Sequence, residues 1–322
     1  MDFTLKAYKN LLQTLKNKGY PFITFHDYLT QTRNPKLETR NPQPTTRNSQ
    51  PVTRNPQPTT RNPQLILLRH DVDLLPQNSL ATAKIEHELG IKGSYYFRMV
   101  PESYDIDIIR QIAELGHEVG YHYETMDTAS SRHRERTLQS DLNKEEIKDC
   151  FVTKSAPRND GMKKDELIDA AYQQFCENLE EFRQIADVKT ICMHGSPRSK
   201  YDNRDIWTKY SYRELGIIGE PYFDINFDDF FYLTDTGRRW DGHRVSIRDK
   251  MPQQGQWDRE GLTFRSTKDI IKAANQERLP NQIMITVHPQ RWSNSLFSWT
   301  TELILQNVKN IVKRIIVRKN KG

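Results

Sequence analysis

Apolar residues along this chain switch between two spacings. Leu5, Tyr8, Leu12 and Leu15 recur at helical intervals within Phe3–Lys18, and Gly19 closes the run, which predicts a first helix. Phe22–Phe25 reads as a short strand. Leu65–Leu68 is a continuous apolar run, the pattern of a strand buried on both faces. A helical pattern over about Asn78–Leu89 follows, then strand-like Ser94–Phe97, a helical stripe at Ile108, Ile112 and Leu115, and a third strand over Val119–Tyr123. Strand, helix, strand, helix, strand is the rhythm of a parallel sheet or barrel.

The rhythm lapses over Asn143–Lys164, which is polar and rich in turn formers. A long helix over about Asp165–Ala186 leads into Lys189–Met193, another buried strand. Tyr222–Phe227 and Phe230–Thr234 read as strands, Asp269–Ala274 as a helix, and Ile283–Val287 as a further buried strand. About Ser298–Val317 forms an amphipathic, basic closing helix. The expected fold class is α/β, with a parallel sheet or barrel.

Composition changes the picture in one place. Apolar residues at 35% and aromatics at 10% suffice for a core, yet the mean hydropathy of −0.82 is low. The cause lies between Arg33 and Gln64, where arginine returns every seven residues at Arg33, Arg40, Arg47, Arg54 and Arg61. Seven of the sixteen prolines fall in this stretch, and it has almost nothing to bury, so it reads as a disordered or polyproline-like insert. Three parts are expected: residues 1–32 as an N-terminal helix and strand, 33–64 as the repeat insert, and 65–322 as the barrel with a second insert at about 143–164.

The insert also carries the charge. It holds six basic residues and one acid, so of the net +6 only +1 belongs to the rest of the chain. The basic balance is therefore no argument for a nucleic-acid partner. Cys150, Cys176 and Cys192 are few, odd in number and without C-x-x-C spacing, which suits a reducing compartment. No stretch is long and apolar enough to span a bilayer. These features predict a cytoplasmic protein with no nucleic-acid partner and no membrane span.

The candidate chemistry lies at strand ends. Four apolar runs terminate in Asp71 and Asp73, His122, His194 and His288. Ligands gather at the carboxyl ends of parallel strands, and imidazole with carboxylate is the donor set of a borderline divalent metal such as Zn²⁺.

Arg69-His70-Asp71-Val72-Asp73 with Gly116-His117-Glu118-Val119-Gly120-Tyr121-His122 resembles the NodB-type polysaccharide deacetylases, carbohydrate esterase family 4. Within them it looks most like a cytoplasmic branch associated with bacterial surface-polysaccharide gene sets. The resemblance covers about Leu65–Trp292, apart from residues 143–164. It implies a distorted NodB-like (β/α) barrel with seven or so strands, and a metal-dependent carbohydrate deacetylase, a hydrolase that cuts an acetyl amide or ester of a sugar with a metal-activated water. Asp71 matches the family's catalytic base, Asp73 its metal-binding aspartate, His122 the first histidine of its metal motif, and His288 the histidine that protonates the leaving group.

The family's second metal histidine stands four residues after the first, and here that position is Met126. A thioether is a poor ligand for such an ion. His194 is the first candidate for the third ligand, with Glu124 and Asp127 as alternatives. Without a third ligand the chain would be a non-catalytic carbohydrate-binding pseudoenzyme. Asp71-Val72-Asp73 is also a D-x-D, the metal-nucleotide motif of glycosyltransferases, but too little chain precedes it for a nucleotide-binding βαβ unit.

Arg69 either keeps Asp71 ionised or makes a rim ion pair. In Asp235–Gly242, Trp240 and Arg239 are candidate substrate contacts, stacking on a sugar and meeting a phosphate; a salt-bridged loop is the other reading. His117 is expected to cap or pack. His70 is expected to point away from Asp71. A nucleophilic Ser196 lacks the G-x-S-x-G elbow.

Overall fold

The structure is a computed structural model that describes residues 1–33, 63–131, 163–195, 201–242 and 251–319, the last nine by their backbone alone. Residues 34–62 of the expected repeat insert and nearly all of the expected second insert lie outside the described residues, as does Ser196.

Among the described residues seven strands, every pairing parallel, form a curled half-barrel: β1 Phe22–Ile23, β2 Leu65–Val72, β3 Ser94–Phe97, β4 Glu118–Tyr123, β5 Ile191–Met193, β6 Phe231–Thr234 and β7 Gln282–Val287. Their spatial order is β5-β4-β3-β2-β7-β6. β1 lies beside the start of β2, with Phe22 opposite Ile66, and β3 takes the same side higher up, with Arg69 opposite Ser94. The longest strand, β2, is thus central, and every one of its eight residues is buried.

The helices are α1 Leu5–Asn17, α2 Phe25–Arg33, α3 Pro76–Glu88, α4 Ile106–Glu114, α5 Lys164–Arg183, α6 Pro221–Asp224, α7 Gln254–Arg259, α8 Thr267–Asn275 and α9 Leu296–Lys319. Local sequence sets their starts. Thr4 and Asp105 cap α1 and α4 through their side-chain oxygens, and Ser266 with Asp269 forms a capping box on α8.

Strand alternation divides the core into layers. Ile66, Leu68, Ile283 and Ile285 face outward, under Leu11, Leu12 and Leu15 of α1 and Ile270 of α8. Tyr95, Phe97 and Tyr121 pack with Ile108, Ile112, Phe175 and Phe182 of α4 and α5. Leu67, Tyr96, Cys192 and Met284 face inward and fill the half-barrel's interior.

Two strand expectations are corrected. The first strand stops at Ile23 because Thr24 Oγ1 accepts from the Asp27 N–H and starts α2. That helix places Phe25 and Leu29 in the interior cluster, closing the floor of the half-barrel. Tyr222–Phe227 is not a strand. Pro221 opens a four-residue helix there, and the buried Glu220 carboxylate accepts the Tyr222 and Phe223 N–H groups.

Candidate metal centre

All four polar strand ends meet at the carboxyl edge of the sheet. Asp71 is the last inward-facing residue of β2, and Asp73 follows it in a tight turn closed by the Asp73 N–H to the Asp71 carbonyl, 3.1 Å. His122 lies opposite Cys192 in the β4–β5 pairing. Its Nδ1 is 3.0 Å from the Cys192 carbonyl oxygen. A carbonyl only accepts, so the proton sits on Nδ1 and the Nε2 lone pair faces the cleft. Gly120, two residues earlier on the same face, makes room below: a Cβ there would stand 2.4 Å from the Tyr96 ring.

His122 Nε2 and His194 Nε2 each lie 3.7 Å from Asp73 Oδ1. The three ligand atoms fall within 4.8 Å of one another. Asp73 Oδ1 is buried and has no hydrogen-bond partner among the described residues. A buried carboxylate oxygen without a donor is costly, and a cation would relieve that cost. Ligands about 2.0–2.1 Å from a tetrahedral ion stand about 3.3–3.5 Å apart. The residues present therefore fit a divalent metal. The same acid–imidazole set includes a second arrangement, Asp71, His122 and Cys192, but Asp71 is engaged elsewhere.

Asp71 is held by the Arg69 fork, Nε to Oδ1 at 2.7 Å and Nη2 to Oδ2 at 2.6 Å. Burial alone would raise its pKa. Arg69, and beyond it His122 and His288, outweigh burial and hold the carboxyl well below the usual range. Arg69 is itself buried, so it is not a surface ion pair. Burial lowers the His122 pKa to about 4, against the pull of Asp71, so the ring is neutral near pH 7.

His288 caps the opposite wall. Its Nδ1 is 2.6 Å from Asp235 Oδ1, which leaves Nε2 facing Asp73 Oδ2 at 4.0 Å. Asp235 is fully buried and also accepts from Arg291 Nη1, Trp292 Nε1 and the His288 N–H. Gln290 Nε2 donates to Asp73 Oδ2 at 3.1 Å.

His194 is held from behind. Its Nδ1 lies 2.9 Å from Glu124 Oε2, close but out of line for a regular hydrogen bond. Arg98 grips Glu124 through Nε and Nη2, both 2.9 Å, and the Asp73 carbonyl through Nη1, 3.0 Å. Asn203 donates to the His194 carbonyl and to Asp127, and accepts the Met126 N–H. Glu124 and Asp127 therefore act as partners of other site groups. Met126 is fully buried in the apolar layer under α5.

Trp240 does not reach the site, which corrects its expected role as a sugar platform. It is 4% exposed, its Nε1 donates to Thr267 Oγ1, and its ring packs against Phe3 and Trp292. Arg239 is forked onto Asp241, so the loop takes the salt-bridged form there. His117 accepts the Gly93 N–H through Nδ1 and packs below Ala83, and His70 faces away from Asp71.

Arg98 and Asp235 were missed by the sequence reading. Each is the first residue after an apolar strand, β3 and β6. The rule that selected His122, His194 and His288 would have found both had it been applied to every strand.

An α/β half-barrel with a His–carboxylate cluster at the carboxyl edge of its strands is the class that fold and site define. No protein-family model matches the sequence, and no curated protein matches it. Solved structures similar to it include two of a mutated carbohydrate esterase family 4 (CE4) pseudoenzyme, one with restored enzymatic activity. Both show 13% identity, with TM-scores of 0.34 and 0.35, over 78% and 79% of this chain. The chain spans 64% of the length of each. Another is the Xyl-CE4 domain of a multidomain xylanase from the hindgut metagenome of Trinervitermes trinervoides, at 11% identity and TM-score 0.28, covering 81% of this chain and 85% of that one.

Proposed function

We propose that this chain is a metal-dependent hydrolase that removes an acetyl or similar acyl group from a sugar or polysaccharide precursor, as in the cytoplasmic, surface-polysaccharide branch of the NodB-type deacetylases. The observation that carries the reading is the partnerless buried Oδ1 of Asp73 facing two imidazole Nε2 atoms at 3.7 Å.

Asp73, His122 and His194 would hold the ion, with Zn²⁺ the best match to one carboxylate and two imidazoles. Such an ion supplies Lewis acidity, acidifying water and stabilising charge on a carbonyl oxygen. Asp71, ionised at neutral pH and fixed by Arg69, accepts the proton of the attacking water. His288 donates a proton from Nε2 to the departing amine or alcohol. Asp235, bonded at Nδ1, orients the ring and balances its charge, as in other imidazole–carboxylate pairs. The presence of a base and an acid on opposite sides of one acid–imidazole cluster favours catalysis over the pseudoenzyme reading.

The test is metal analysis of protein purified without chelator, together with acetate release from acetylated sugars and nucleotide sugars. Asp71→Asn is expected to retain the metal and lose about 10²–10⁴-fold in turnover. Full activity in that variant removes the base assignment. Absence of both metal and acetate release removes the function.

A further inference from the structure

The closing helix α9 is seated the wrong way round for a helix that only covers a core. A surface helix of a globular protein turns its apolar stripe inward and its polar side chains to water. Among the described side chains of α9 the two buried ones are polar: Gln306 is 8% and Asn310 7% exposed. Asn310 donates to the Gly237 carbonyl, Trp299 Nε1 donates to the Asp2 carbonyl at 2.7 Å, and the Trp299 carbonyl accepts from Arg238 Nη1. The Arg238 guanidinium lies over the Trp299 ring at 4.4 Å. Trp299, Gln306 and Asn310 follow one another at helical spacing and share the seated face. Phe297, Ile304 and Val308 repeat that spacing half a turn away, on the opposite face. They are 82%, 59% and 54% exposed, and Leu305 beside them is exposed too. In sequence the same spacing runs on at Ile311 and Ile315. A contiguous apolar row facing water marks a surface that something covers.

Charge decides what covers it. Lys309, Lys313, Arg314, Arg318, Lys319 and Lys321 follow one another with no acid between them. The single acid of α9, Glu302, accepts from Gln306. A second copy of the helix would therefore bring no free carboxylate to this basic end. The repeat insert is no better match: residues 34–62 are themselves basic, with Leu37 and Val52 as their apolar side chains other than proline. No helix among the described residues is long and apolar enough to cross a membrane. An apolar row with a cationic end fits the surface of an anionic bilayer, where a helix lies flat with one side among the acyl chains and its cations at the lipid phosphates.

We propose that α9 docks this protein on an anionic lipid bilayer, lying in the interface with Phe297, Ile304 and Val308 turned to the acyl chains and the basic residues from Lys309 onward at the headgroups. The contact is independent of the metal centre and of the proposed hydrolysis.

The experiment is flotation of the full chain with vesicles of phosphatidylcholine carrying about 30% phosphatidylglycerol, beside vesicles of phosphatidylcholine alone. Binding to the anionic vesicles at least about tenfold tighter than to the neutral ones is expected, and it should weaken when salt is raised to about 0.5 M. The combined change Phe297→Ser, Ile304→Ser and Val308→Ser, all at exposed positions, should lower binding to the anionic vesicles at least about tenfold, with the melting temperature unchanged. Lys313→Gln with Arg314→Gln and Arg318→Gln should lower it by about as much. No binding to the anionic vesicles, equal binding to both kinds, or full binding by either variant overturns the proposal. A lipid-free dimer in sedimentation velocity that the apolar variant breaks assigns the row to a second copy and overturns it as well. The charge variant decides even if the apolar variant fails to fold.

Discussion

Two histidine–carboxylate clusters lie on opposite faces of β2, built from neighbouring residues. On the outer face His70 Nε2 is 2.9 Å from Glu86 Oε1, which also accepts from the hydroxyls of Tyr8, 2.5 Å, and Tyr95, 2.8 Å. His70, Glu86, Tyr8 and Tyr95 are all fully buried, and the His70 ring stacks on Tyr95 at 3.8 Å. On the inner face Asp71 and Asp73 meet His122, His194 and His288. Both clusters hold acids and imidazoles within a few ångströms. In the outer one hydroxyl donors converge on Glu86 Oε1, which ties α1 and α3 to the sheet, while Oε2 is buried without a hydrogen-bond partner among the described residues, 3.5 Å from His117 Nδ1. In the inner one two imidazole Nε2 atoms converge on Asp73 Oδ1, which has no donor among the described residues. Residue type does not separate a structural cluster from a chemical one; the direction of protons and lone pairs does.

The comparison breaks most visibly at Asp73. Asp73→Ala should lower metal affinity at least about 100-fold and end turnover, while the melting temperature of the metal-free protein stays near that of the wild type. Metal titration by calorimetry beside thermal unfolding measures both, and a large loss of stability without loss of metal would merge the two clusters into one kind. The converse change is Glu86→Ala. It strands buried donors and should cost about 3–5 kcal/mol of stability, read by urea unfolding, yet leave metal affinity unchanged below the transition.

A smaller effect tests the support of His194. Glu124→Gln keeps the size of the group that Arg98 holds but not its charge, and should lower metal affinity about 10–100-fold. An unchanged affinity would show that His194 needs no such partner. The smallest effect concerns a half-buried acid outside both clusters. Glu118, at the start of β4, accepts from Ser94 Oγ at 2.5 Å, from Thr190 Oγ1 and from the His26 N–H. Burial raises its pKa above the ordinary 4.5. The folded state therefore binds this proton more tightly than the unfolded state. The stability it contributes is full below about pH 4.5 and is lost as pH rises through the raised value. Glu118→Gln should flatten that part of the stability profile, and melting temperatures across a pH series would show it.

How much of this was legible beforehand follows the period of the pattern. β2 and β7 announced themselves because strands buried on both faces leave unbroken apolar runs, and β4 showed as a shorter strand-like stretch in the same rhythm. Their ends pointed to Asp71, Asp73, His122 and His288, and the poor match of Met126 to a metal directed attention to His194. Tyr222–Phe227 misled because Phe223, Ile225 and Phe227 alternate with Asp224 and Asn226 at strand period, and the Glu220 cap that makes the start of this stretch helical is a contact seen only in the fold. Trp240 misled because an aromatic in a polar loop looks exposed until Phe3 and Trp292, far away in sequence, cover it.

The sequence by itself determined the alternation of buried strands and amphipathic helices, and with it the carboxyl edge on which acids and imidazoles collect. Only the tertiary structure decided which of them act together. The Arg98–Glu124 brace behind His194 and the Asp235 anchor of His288 each join the ends of different strands. Strand patterns depend on neighbours two residues apart along one segment, whereas these bonds depend on distances across the sheet that no local pattern encodes.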